Sequence, residues 1–387
     1  MRTIAVFTAT RAEYGLLRPL LLRLRESRQC RLQLIVTGTH LSHAHGYTLT
    51  EIRSDGFEPD VMVPLDFSKD SPEHLCGALG AVVAQTGMAL ARLQPDIFVL
   101  LGDRYECLGA ATAAAMLHTP VAHIHGGEIT RGALDDSFRH AITKLSHLHF
   151  ASCEPYRQRI LQLGEQPDRV WNVGALGVGN ALSLPLLDKA AVREYLRLEE
   201  GRPYFLCTFH PVTLEPGHEE AQWREVQQAL ETFSNHAVII TGANADPGGE
   251  HINRMLVEWS RQQPERVRLF DSLGVLRYLS AAKYAACVVG NSSSGVIEIP
   301  SLGAPVVNIG NRQQGRISSP AVLHCPAQKH AVIAALKQAG TPQCRERART
   351  TPNPYQKPGT SAAIAHTLLT FPLEDILKKT FYDMARY

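Results

Sequence analysis

The chain has 387 residues, enough for two domains that each bury a core without disulfide or metal staples. Lys plus Arg is 39 and Asp plus Glu is 37, a formal charge of +2, which argues against nucleic-acid binding through a broad basic field. With 44% hydrophobic and 20% charged residues, the composition excludes a disordered chain.

The first apolar run spans only Ile4 to Phe7, too short for a signal-peptide core. Compact apolar runs at residues 3–8, 32–37, 96–101, 121–124 and 170–173 read as strands buried on both faces. Amphipathic runs such as 16–25 and 110–117 read as the helices between them. The apolar stretch 77–93 carries Gln85 and Thr86 and is shorter than a membrane span. The pattern then restarts, with strands expected at 204–209, 237–241, 267–270, 287–289 and 306–309. Helices are expected between them at 219–233, 252–262 and 274–285, with a further one at 328–339. An irregular tail follows at 340–359, then a last helix at 373–385. The reading is α/β, with two doubly wound domains and a change-over within 175–202. Ligands of such sheets sit beyond the carboxyl ends of the strands. The eight cysteines are scattered without a CxxC pair, which fits a reducing cytoplasmic setting.

Several polar groups follow strands directly. Gly102-Asp103-Arg104 sets an acid and a base after a glycine turn. HIHGGE at 123–128 puts His123 and His125 on one strand face and adds Glu128. Asp135 and Asp136 open a helical run, where one caps and the other stays ionised as a base must. Arg139 and His140 lie one turn further on. FHP at 209–211 ends a strand with His210 aimed at the cleft. GNSSSG at 290–295 gives small residues, helix-start amides and hydroxyls suited to a phosphate. Glu298 lies one turn from Ser294, close enough to accept from a sugar hydroxyl. Arg11, Arg312 and Arg316 add positive charge after other strands. Walker A, GxSxG and HExxH patterns are absent, and no metal site is expected from His40, His43, His45, His147 or His149.

In this order, TRAEYG (10–15), VTGTH (36–40), LGDR (101–104), HIHGGE (123–128), DDSFRHAITK (135–144), FHP (209–211), GNSSSG (290–295) and NRQQG (311–315) resemble the hydrolysing UDP-N-acetylglucosamine 2-epimerases of sialic-acid pathways. The resemblance implies a GT-B fold, with two Rossmann-like domains facing a central cleft. Residues 1–180 would form the catalytic domain and 181–364 the UDP-binding domain, with a helix within 365–387 packing back on the first. It implies catalytic roles for Asp103, His125, Glu128, Asp135, Asp136 and His210. It implies substrate contacts from Arg11, Arg104, Arg139, Asn291, Ser292, Ser293, Ser294, Gly295, Glu298 and Arg312. His125 departs from the pattern, since many relatives carry Glu there, and Glu128 is the nearest carboxylate that can substitute.

The implied chemistry is elimination and then hydration. A base takes the C2 proton while UDP leaves C1, and water and a proton then add to the 2-acetamidoglucal intermediate. The products are N-acetylmannosamine and UDP, for sialic-acid synthesis. No metal or other cofactor is expected, nor a nucleic-acid or membrane partner. The resemblance also implies a cytoplasmic homo-oligomer, a dimer or tetramer. The nearest rival substrate is UDP-2,4-diacetamido-2,4,6-trideoxyhexose of legionaminic-type pathways, and a GT-B glycosyltransferase is the further alternative.

Overall fold

The computed structural model describes residues 1–67, 71–130, 134–212, 217–243 and 248–384. Its strands in chain order are β1 (Arg2–Thr8), β2 (Cys30–Thr37), β3 (Val61–Val63), β4 (Ile97–Leu101), β5 (Val121–Ile124), β6 (Leu148–Ala151) and β7 (Val170–Asn172). They are followed by β8 (Tyr204–Thr208), β9 (Ala237–Thr241), β10 (Val267–Phe270), β11 (Cys287–Gly290), β12 (Val306–Ile309) and β13 (Leu323–Cys325). Among the described residues they form two parallel sheets, ordered β3-β2-β1-β4-β5-β6-β7 and β10-β9-β8-β11-β12-β13.

Chain contacts divide the protein into two compact units. The first holds Met1–Glu128, Leu134–Gly179 and the tail from Lys357; the second holds Asn180–Gln356 and the short segment that begins at Ile129. In each, alternate residues of a central strand feed opposite cores. Ile4 and Val6 pack on one face of the first sheet, and Ala5 and Phe7 on the other. Phe205 and Cys207 do the same against Tyr204 and Leu206 in the second. Both sheets are therefore covered on both faces, the condition for all-parallel strands. Strand order reverses between β1 and β4, and again between β8 and β11. Loops leaving those strands flank the crevice where a doubly wound sheet takes its ligand.

Several elements differ from the sequence reading. The stretch expected as an irregular tail at 340–359 holds a helix, Pro342–Thr350, because Thr341 caps it and Pro342 starts it. The helix over the apolar stretch runs Pro72–Leu93, 22 residues, because Ser71 caps it and Pro72 starts it a turn early. It is long and apolar enough to cross a bilayer. However, Val82, Thr86, Ala89 and Leu90 are buried in the first unit, where it packs on the helix Tyr105–Met116.

The last helix is Thr360–Thr370 and not 373–385. It returns to the first unit, packing on the helix Arg11–Glu26 with Ile364 and Leu368 buried. Pro372 disfavours helical backbone at Phe371, and Asp375 at φ +54° breaks any helix beyond. From there to residue 384 the chain lies in turns and irregular structure.

Candidate active site

In the first unit, β1 leads into the helix Arg11–Glu26 through a capping box. Thr10 accepts from the Glu13 N–H, and Glu13 Oε2 accepts from the Ala9 and Thr10 N–H groups at 2.9 and 3.2 Å. Arg11 is half-exposed at the helix start, 3.8 Å from Glu51.

β4 ends in Gly102, whose φ of +84° turns the chain into Asp103 and Arg104. Arg104 pairs with carboxylates of its own unit and keeps 37% of its side chain exposed. Its Nε and Nη2 both donate at 3.1 Å to Glu106, which is fully buried, and Nε lies 4.0 Å from Glu13 Oε1. Neither Glu13 nor Glu106 was singled out from the sequence, although the Thr10-x-x-Glu13 spacing was visible as a capping signal.

β5 ends at Ile124, so the shared face expected for His123 and His125 is not formed. His123 is fully buried, and burial pushes its pKa down to about 3. It is therefore neutral, and its Nε2–H donates to the Gly102 carbonyl at 2.7 Å. His125 takes a left-handed φ of +65°, rare outside glycine. Its Nε2 accepts from the Leu176 N–H at 3.3 Å, so its proton sits on Nδ1, which lies 3.7 Å from Glu128 Oε1. The Ser152 hydroxyl donates to the same Glu128 oxygen at 2.7 Å. Gly127 is glycine by necessity: a Cβ there would stand 2.4 Å from the Tyr156 carbonyl.

The helix Leu134–Leu145 carries Asp135 and Asp136 in its first turn. Arg139 on that helix is only 2% exposed. Its Nη1 donates to the Glu128 carbonyl at 2.9 Å and to Asp136 Oδ1 at 3.2 Å, and its Nη2 bonds Asp103. His140 Nε2 lies 3.8 Å from Asp136 Oδ2. The first unit thus gathers Asp103, Asp136, Glu128 and His125 around the ends of β4 and β5.

In the second unit β8 runs into Phe209-His210, and β11 runs into the Gly-Ser loop. Asn291, 1% exposed, is a clasp between them. Its Oδ1 accepts from the His210 N–H and its Nδ2 donates to the His210 carbonyl, both at 2.7 Å. Its own carbonyl accepts from Arg312 at 3.3 Å and Gln313 at 2.9 Å. Burial, with the nearby Arg312 charge, pushes the His210 pKa down to about 3, so this imidazole is neutral. Ser292 caps the short helix Ser293–Ile297, and Ser292, Ser293, Ser294 and Glu298 are half-buried. Gly295 is buried, and a Cβ there would stand 3.2 Å from Val306, so it serves packing. Gly290 allows β11 to approach β8: at φ +137° an added Cβ would fall 1.9 Å from the Thr208 carbonyl.

Among the described residues no three His, Cys, Asp or Glu side chains are grouped to hold a metal ion. His40 is buried between the hydroxyls of Thr8 and Thr48, at 3.0 and 2.7 Å.

Two Rossmann-like units, one ending in a cluster of carboxylates and the other in a Gly-Ser loop beside a neutral histidine, define an α/β fold of the GT-B class. The model of the UDP-N-acetylglucosamine 2-epimerase family matches residues 22–369, and the chain belongs to that family. It is 39% identical over 316 residues, 82% of each chain, to a GDP/UDP-N,N'-diacetylbacillosamine 2-epimerase (hydrolyzing) of Campylobacter jejuni. It is 37% identical over 361 residues, 92% of this chain and 91% of the other, to polysialic acid biosynthesis protein P7 of Escherichia coli. Its fold matches the crystal structure of the Neisseria meningitidis UDP-GlcNAc 2-epimerase bound to UDP-GlcNAc, with TM-score 0.79, 18% identity, and 95% and 100% of the two chains covered. The protein is a hydrolysing 2-epimerase of UDP-sugars.

Proposed function

We propose that the substrate is UDP-N-acetylglucosamine and that the products are UDP and N-acetylmannosamine, for sialic-acid synthesis. The observation that carries this reading is the cluster of Asp103, Asp136, Glu128 and His125 at the strand ends of the first unit, in a chain of this family. The similarity over 92% of the chain to a polysialic acid biosynthesis protein supports it. A carboxylate among Asp103, Asp135 and Asp136 takes the C2 proton as the C1–O bond breaks and UDP departs. Water then adds its hydroxyl at C1, and a proton returns to C2 from the opposite face. The C2 proton is weakly acidic, so the departing diphosphate needs stabilisation as its charge develops. Arg11, Arg312, Ser292, Ser293 and Ser294 are assigned to that task, and Glu298 to the nucleotide sugar. His210, neutral at pH 7, contributes hydrogen bonds to the substrate. The steps balance without a metal or redox cofactor. A cytoplasmic homo-oligomer belongs to the same proposal; that all eight cysteines are free thiols supports the compartment.

A second reading is favoured by the 39% identity to the C. jejuni enzyme: the substrate is a UDP-2,4-diacetamido-2,4,6-trideoxyhexose. The test is incubation with each sugar nucleotide in deuterated water, without an acceptor. UDP together with C2-deuterated N-acetylmannosamine, at the higher kcat/KM, is the expected outcome. A higher kcat/KM on the diacetamido sugar selects the second reading, and release of UDP from neither sinks both.

A further inference from the structure

We propose that Arg139 is a positioning residue for the proton-transferring carboxylates and not a ligand of the diphosphate. The inference rests on the 2-epimerase reading and deepens it. Three observations carry it. The side chain is 2% exposed, so little of it reaches a ligand. Its guanidinium is already shared among Asp103, Asp136 and the Glu128 carbonyl. Finally, its partners come from different elements: Asp103 follows β4, Glu128 follows β5, and Asp136 opens the helix that carries Arg139 itself.

A guanidinium does not lose its proton in a protein, so Arg139 neither gives nor takes one. Its fixed fork instead sets where two acids from separate elements stand relative to each other. The same contacts are braced from behind. His123 donates to Gly102, the residue before Asp103, at 2.7 Å. Thr143, one turn after Arg139, donates to the Arg139 carbonyl at 3.0 Å and stands 3.2 Å from the His123 ring. One cation between two carboxylates also offsets the repulsion between them, which removal of the guanidinium would leave uncompensated. Among the described residues, the charged or titratable groups around the pair include Asp135 next to Asp136 in the chain, His140 beside Asp136, Arg159 near His140, Arg104 next to Asp103, Glu128 with His125, and the neutral His123.

The test compares Arg139→Gln and Arg139→Lys with the wild type, on whichever sugar nucleotide the wild type hydrolyses. A wild type that hydrolyses neither defeats the functional reading itself, a distinct result. Arg139→Gln is expected to lower kcat by about 100-fold, the scale of misplaced catalytic groups. KM and calorimetric UDP affinity should stay within about threefold, as for an interaction made only in the transition state. The acid limb of the kcat–pH profile should move up by about one unit as one carboxylate gains a proton more readily. Arg139→Lys, which restores charge without the fork, should recover about tenfold of the lost rate. A tenfold loss of UDP affinity with kcat unchanged would make Arg139 a substrate ligand. A fall in kcat with an unmoved acid limb would leave it a merely structural residue. If Arg139→Gln fails to fold by circular dichroism, Arg139→Lys decides alone: lowered kcat with retained UDP affinity supports the proposal, and unchanged kcat overturns it.

Discussion

Glu13 shows how much one buried carboxylate can do without touching substrate. It closes the capping box that presents Arg11, and it shares Arg104 with Glu106. Burial pushes its pKa up from 4.5 to about 7, with Arg104 and the two N–H donors opposing and Glu106 assisting. The folded value lies above the unfolded one. Its contribution to stability is therefore complete below about pH 4.5 and is lost as pH rises through 7. A rise of this size corresponds to at most roughly 3 kcal/mol. Glu13→Gln cannot ionise, so its urea-unfolding free energy should fall less than that of the wild type between pH 4.5 and 8; parallel curves would refute this. Gly290 carries a different kind of constraint. Its φ of +137° is strained for any other residue, and an added Cβ meets backbone at 1.9 Å. Gly310 also has a positive φ, +72°, but open space around it. Gly310→Ala should cost about 1 kcal/mol from conformation alone. Gly290→Ala should cost several times more and abolish UDP binding by calorimetry, because β8 and β11 must separate. Equal melting temperatures for the two variants would show that the close approach is not what requires glycine.

At the scale of elements, ten of the thirteen strands among the described residues were legible, because burial on both faces gives compact, mostly apolar runs bounded by Gly, Pro or polar residues. The three that were not, β3, β6 and β13, are three or four residues long; β6 and β13 each carry a histidine, and β3 follows Pro59 and Asp60 closely. Pairing with a neighbour makes them strands, and no local signal announces that. At the site, residues next to glycines were legible, since turns after strands have a local signature. The partition of carboxylates between Arg104 and Arg139 was not, because it depends on contacts such as Glu13–Arg104 that join distant segments. The tail escaped for the same reason. Residues 371–384 hold no regular element, yet they are fastened to the first unit. Lys379 Nζ lies 2.7 Å from Glu165, itself 2% exposed, and donates to the Lys144 and Ser146 carbonyls. The Tyr382 N–H donates to the Gly164 carbonyl at 2.8 Å. Burial would raise the Glu165 pKa, but bonds from His149, Lys144 and Lys379 hold it at about 2. Its stabilisation is therefore present above the unfolded value of 4.5 and is lost as pH falls toward 2. Lys379→Met leaves a buried carboxylate with fewer partners and should cost about 1–3 kcal/mol at pH 7. The difference in melting temperature from the wild type should shrink as pH drops below 4.5; a difference that persists at low pH would place the effect elsewhere.

For the whole molecule, the helix Pro72–Leu93 raises the question of what covers its outer side. No Asp, Glu, Lys, Arg or His occurs over residues 75–91. Met88 is 66% exposed on this helix and Met116 71% at the end of the neighbouring one. A membrane surface is a poor match, because such helices carry Lys and Arg along their polar flank. A second copy of the chain fits better. A face without charge meets its own image across a two-fold axis without like-charge repulsion. With the two helices antiparallel, Glu73 at the start of one would approach Arg92 at the end of the other. If the proposed homo-oligomer forms through this face, Met88→Glu brings two carboxylates into an apolar contact, and each loses hydration with no cation opposite. Analytical ultracentrifugation should then show the variant at half the wild-type mass or less, while its UDP affinity is unchanged, since neither Arg11 nor the Gly-Ser loop lies on this helix. Glu73→Arg should weaken association as well, and adding Arg92→Glu to it should restore association, because only an antiparallel pairing makes those two positions neighbours. A Met88→Glu protein with the wild-type mass would assign the assembly to another surface.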